Sequence, residues 1–203
     1  MPRIELHARK APRQARAQAT VQVILEAAAR VLSRESLAGF NTNRVAEVAG
    51  VSVGSLYQYF PNKAALVAAL IDRDHAALAD ALEALLAVPA ADTLRGTLHA
   101  VAQLLIEQQY GDPVYAAAID HEERRLPLGA RTRQAEQRFA AAAMALMARH
   151  RAEISASLPA SAPRDLLLMA RAIVEDGSQS VRTPPADLEA RIVRALLGYL
   201  VLK

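Results

Sequence analysis

The chain has no cysteine and no tryptophan. Without thiols there is neither a disulfide framework nor a thiolate metal site, which fits a reducing compartment. Long hydrophobic runs are missing as well: no stretch reaches the roughly 18 apolar residues that a membrane-spanning helix needs. The first residues carry arginines without the apolar run of a secretion signal, so a cytoplasmic protein that meets no membrane is expected. Aromatic residues make up only 4% of the chain, which argues against a pocket that cages large planar cations between rings. Also absent are a phosphate-cradling glycine loop, a nucleophile elbow and a paired-histidine metal motif. The run Asp120, His121, Glu122, Glu123 does not replace them, because consecutive helical residues point in different directions; it is taken as solvated charge. No catalytic residue, metal site or cofactor is therefore assigned, and an enzyme is not expected.

The residues that are present favour helices. At 203 residues and 53% hydrophobic content the chain has ample material for a buried core. Its apolar residues recur at spacings of three and four, and strands are hard to place anywhere. The expected fold is all-α with about nine helices, arranged as a three-helix head and a helical-bundle body. Charge divides the chain in the same way. Residues 1–63 hold nine Lys or Arg against four Glu, a net +5, while the remaining residues hold fifteen basic and seventeen acidic groups, a net −2. A basic head on a near-neutral body is the footprint of a nucleic-acid-binding module. Residues 1–15 are expected to be a flexible basic arm, 16–63 the DNA-binding domain and 64–203 a ligand-binding and dimerisation domain.

The head is defined by the stretch from Asn41 to Lys63, NTNRVAEVAGVSVGSLYQYFPNK. Asn41 or Thr42 caps a first short helix whose inner face is Val45, Ala46 and Ala49. Gly50 ends it in the left-handed backbone that glycine tolerates, Val51 fills the corner, and Ser52 caps a second helix running to about Tyr59. On that helix Leu56 and Phe60, four apart, face inward, which leaves Val53, Gly54, Ser55, Tyr57, Gln58 and Tyr59 for the outer side. Pro61 breaks the chain and Asn62 caps the next helix. Two short helices hinged at a glycine form a helix-turn-helix, which lays its second helix in the major groove of DNA.

The passage from Ala17 to about Leu70, and above all VAEVAGVSVGSLYQYFPNKAAL, resembles the DNA-binding head of the tetracycline-repressor (TetR) family of bacterial transcriptional regulators. The resemblance implies an all-α homodimer with a three-helix head that binds operator DNA and a variable ligand-binding body whose last two helices dimerise. Carried over by position, it implies phosphate contacts by Thr42, Arg44, Ser55, Tyr57, Tyr59 and Lys63. Gly54 then allows close approach to the duplex. Val53, Ser55 and Gln58 are the base readers, Gln58 by bidentate pairing with an adenine edge and Val53 by touching a thymine methyl. Two positions depart from the pattern: Ser36 stands where the family usually ends its first helix with glycine, with Gly39 offset by three, and Val48 stands where a charged residue is usual.

The body carries two further expectations. His99, Gln103, Ile106 and Tyr110 form a polar-aromatic stripe that, with Tyr115, Phe139, Met144 and Met147, would line a mostly apolar pocket for a small-molecule effector. The stripe is equally consistent with a boundary between core and solvent. The last two helices are apolar on more than one side. On the final one Leu188, Ile192 and Tyr199 lie on one stripe and Leu196 on another, so these residues, with Ile173, are assigned to a homodimer interface. The expected function is a dimeric repressor released from its operator by a ligand, with the long helix from Asn62 as the lever; an activator of the same fold and a nonspecific architectural DNA-binding protein are the alternatives.

Overall fold

The computed structural model describes residues 15–88, 93–129, 131–178 and 183–201; most of the expected basic arm lies outside them. Among the described residues are nine helices and no strand: α1 (Ala15–Gly39), α2 (Thr42–Ala49), α3 (Val53–Tyr59), α4 (Lys63–Ala87), α5 (Leu94–Tyr110), α6 (Pro113–Arg125), α7 (Thr132–Arg149), α8 (Ala162–Ser178) and α9 (Leu188–Val201). No helix among them is long and apolar enough to cross a membrane. The chain packs as two compact units, one of residues 1–74 and 114–131, the other of 75–113 and 132–203.

The first unit has a core drawn from α1, α2, α3 and the start of α4. Ile24, Leu32, Val45, Leu56, Phe60 and Leu70 meet there, the largest of them fully buried. The expected caps are all in place. The Asn41 side chain accepts from the Arg44 amide (2.9 Å), the Ser52 hydroxyl from the Ser55 amide (3.0 Å) and Asn62 Oδ1 from the Ala65 amide (2.8 Å). Gly50 adopts φ 67°, the left-handed stop that joins α2 to α3. Val48, where a charge is usual, packs against this core. α1 ends differently from expectation: its helix is interrupted at Ser36, whose φ of 55° and ψ of −172° lie in a region that suits glycine.

α6 and the loop after it belong to this unit too. Ala118, Ile119, Leu126 and Leu128 are buried in the same core. The Tyr115 hydroxyl donates to Asp74 Oδ2 (2.6 Å) and accepts from Arg73 (3.0 Å), while Arg131 pairs with Asp72. Burial, followed by the Asp74 charge, pushes the Tyr115 hydroxyl far above its ordinary pKa, so it stays a donor. Glu122 corrects the reading of its run as solvated: it is buried and held by Arg125.

The second unit packs Leu94, Leu98 and Ala102 of α5 against Leu146 of α7, Leu166 and Val174 of α8, and Ile192 and Leu200 of α9. α7 stops at Arg149, and the chain beyond it is tied elsewhere. The buried His150 hydrogen-bonds through Nε2 with the Thr97 hydroxyl (2.8 Å) and through Nδ1 with Glu153 (2.9 Å), and the Ser155 amide donates to the Leu200 carbonyl (2.7 Å). Both Glu153 oxygens accept from the Leu94 amide, at 2.9 and 3.0 Å, satisfying a donor at the first turn of α5. This amide, and next the His150 hydrogen bond, hold the Glu153 carboxyl below its usual value.

A depressed carboxyl contributes stability above its unfolded pKa, about 4.3, and loses it as pH falls through the folded value. Thermal melts taken from neutral to acid conditions are therefore expected to lose midpoint below that pH, and Glu153→Gln should flatten this loss. Parallel acid slopes for the two proteins would count against the linkage.

Candidate functional site

The outer surface of α3 is the best-defined site. Ser52 starts the helix and Leu56, its only buried residue, anchors it. Turning that residue inward turns its neighbours outward: Val53 is 38% exposed, Tyr57 39%, and Gly54 and Gln58 are exposed as well. Ser55 is half-buried, its hydroxyl bonded to that of Ser52 (2.8 Å). Tyr59 differs from Tyr57, because its ring packs against the head core.

The expected phosphate contacts are spread around this face in different states. The hydroxyls of Thr42 and Tyr57 are hydrogen-bonded at 3.0 Å, which joins the first turn of α2 to α3 at the surface. Arg44 reaches back to Glu35 (2.7 Å) and along its own helix to Glu47 (2.9 Å), so its charge is compensated within the head. Lys63 is half-buried. Its ammonium donates to the Phe40 carbonyl (2.9 Å) and, at 3.4 Å, to that of Leu37, and it sits 5.1 Å from the centroid of the Phe40 ring. These are the carbonyls left open where α1 ends. No periodicity could have announced either engagement, since both depend on how α1 meets residues further along the sequence.

The eight residues expected around an effector do not share one wall. Tyr115 is in the first unit, bonded to Arg73 and Asp74. Met144 is 54% exposed. His99 pairs with Glu189 of α9 at 2.7 Å and Gln103 donates to the same carboxylate at 3.5 Å, so their stripe marks a boundary between α5 and α9. Tyr110 is buried, and Ile106 and Met147 pack against the core of the second unit. Two of the eight reach a cavity in the second unit: His99 lines an open pocket of about 480 Å³ between α5 and α9, and Phe139 lines an apolar slot of about 60 Å³. Its walls are the leucine stripe of α5 (Leu98, Val101, Leu105) together with Leu82 and Leu86 of α4. Ala142, Ala143 and Leu146 of α7 continue it, and Leu166, Leu167, Ala170 and Leu196 close it. The signal that could have located it is the alanine run at 140–143: small side chains at core positions leave volume that leucines elsewhere do not fill.

Of the five residues assigned to the dimer interface, three are enclosed by the chain's own core. Leu188, Ile192 and Leu196 are buried in the chain's own core, with Val193 and Leu200, because α9 turns members of both its stripes toward α5 and α8. Ile173 is half-buried against that core, and the Tyr199 hydroxyl donates to Asp165 (2.7 Å). Exposed apolar surface lies instead at Leu168 (54%) and Val201 (44%).

Residues 24–70 match the family model of the bacterial regulatory proteins of the tetR family. No curated protein matches the chain in sequence. Among solved structures, the chain is similar to a TetR-family transcriptional regulator from Mesorhizobium loti (19% identity, TM-score 0.71, 93% of this chain and 100% of that one). It is similar to one from Haloarcula marismortui (15% identity, TM-score 0.71, 90% and 97%). A third, from Streptomyces coelicolor, is 26% identical over 90% of this chain and 99% of its own, with a TM-score of 0.59.

Proposed function

We propose that the chain, whose residues 24–70 match the tetR family of bacterial regulatory proteins, is a DNA-binding regulator of transcription and, more narrowly, a homodimeric repressor released from its operator by a small molecule. The observation that carries the reading is the α3 surface, where Val53, Gly54, Tyr57 and Gln58 are exposed while Leu56 and Phe60 are sealed in the core. A helix held by one face and bare on the other is what a major groove accepts.

Roles come from the chemistry of each side chain. Gln58 pairs with an adenine edge and Val53 meets a thymine methyl, while Thr42, Tyr57, Ser55 and Tyr59 clamp phosphates by their hydroxyls. Lys63 has three donors and spends two on the Leu37 and Phe40 carbonyls, leaving one for a phosphate. Arg44 contributes through the orientation of α2. The two-fold partner meets the outward faces of α8 and α9 at Leu168 and Val201, and the effector enters the apolar slot of the second unit.

Footprinting over the gene's own upstream region tests the reading, with sedimentation to find a particle of twice 21.8 kDa. Binding should be salt-sensitive and selective. Gln58→Ala is expected to cost about 1–3 kcal/mol at one base position and to relax selectivity there. If random DNA competes equally, the architectural alternative stands; if transcription rises with the protein bound, so does the activator.

A further inference from the structure

The slot in the second unit restricts the chemistry of any group that can enter it. Every side chain on its walls is apolar, and they come from α4, α5, α7, α8 and α9, so the backbone amides behind them are largely consumed by helical hydrogen bonds. A charged or strongly polar group placed inside would lose its water and gain no partner. Phe139 is the one aromatic ring on the walls, and no carboxylate joins it, so a cation finds no cage.

Size narrows the class further. The slot holds about 60 Å³, well below the roughly 150 Å³ of an apolar cavity that takes a benzene ring. A flat ring does not fit without pushing leucines aside, whereas a chain of methylenes has a slender cross-section. The depth is asymmetric: Leu98, Leu146 and Leu196 are buried, while Val101, Leu105 and Phe139 are only half-buried and form a rim nearer solvent. We propose that the slot takes the unbranched aliphatic chain of an amphiphile, with its polar group left at the rim. This rests on the reading of the body as effector-binding.

Calorimetric titration of the full chain with straight-chain alcohols from butanol to dodecanol tests it, beside benzyl alcohol as a ring and tetraphenylphosphonium as a cation. Affinity is expected to rise about fourfold per methylene and then level off once the slot is filled. Ala170→Leu should fill the space and weaken binding at least tenfold with the melting temperature kept; Ala143→Val serves if the larger side chain prevents folding. Affinity independent of chain length, equal binding of the ring or the cation, or full binding by a folded filling variant overturns the proposal. Operator affinity measured on the same samples separates the two readings. Chain binding that obeys the slot but leaves DNA binding unchanged keeps the ligand class and sinks ligand release.

Discussion

Leu56→Ala is expected to abolish operator binding although Leu56, fully buried, touches no DNA. α3 has seven residues and Leu56 is its only buried one, with Phe60 closing its end. A helix this short does not persist in water by itself, because nucleation costs more than so few hydrogen bonds return. Its geometry therefore depends on burial of those two side chains and on the Ser52 cap. Truncating a buried leucine costs about 2–5 kcal/mol, a large share of the roughly 5–15 kcal/mol that holds a typical domain. Denaturant unfolding followed by helix content, paired with DNA titration, should show the head losing stability and binding together. Gln58→Ala gives the contrast: an exposed side chain, about 0.5 kcal/mol or less in stability, and a loss confined to recognition. If Leu56→Ala unfolds at the wild-type midpoint, burial of Leu56 is not what holds α3.

The second large effect has the opposite sign. Ser36→Gly is expected to stabilise the protein, because Ser36 sits at φ 55° and ψ −172° inside the run assigned to α1. A side chain held there costs about 1–3 kcal/mol, and glycine removes that strain while adding roughly 0.5–1 kcal/mol of unfolded-state entropy. The balance is a gain of up to about 2 kcal/mol, from the same two terms. The side chain is exposed, so little packing is lost. Gly39 does not compensate for it: a Cβ added there would lie 2.6 Å from Glu35 Cβ, so Gly39→Ala is expected to destabilise. Thermal or urea unfolding of the two variants decides the matter, and a Ser36→Gly protein no more stable than wild type would mean that α1 stores no strain at this position.

The head was legible because its determinants are local. Asn41, Gly50, Ser52 and Asn62 each act on a backbone group within a few residues, and Leu56 and Phe60 share a face by helical period alone, so reading along the chain finds them. Glycine at the left-handed stop of α2 and serine at its offset counterpart in α1 were both visible as residue types; that Ser36 takes positive φ was not, since strain arises only when α1 must turn into the packed head.

The sequence by itself determined an all-α chain with a capped helix-turn-helix and a body of amphipathic helices. Tertiary structure alone decided where the other faces point. α9 has more apolar residues than one face needs, so periodicity could not choose between its stripes, and packing took Leu188, Ile192, Val193, Leu196 and Leu200 into the chain's own core. It also joined Ala118, Ile119 and Leu128 to the core of the head, engaged Arg44 and Lys63 with groups from α1 and its end, and left the apolar slot among five helices. The physical reason is common to all of them. A helical repeat fixes which residues share a side, but the partner of that side, and the space left unfilled beside it, depend on residues tens of positions away.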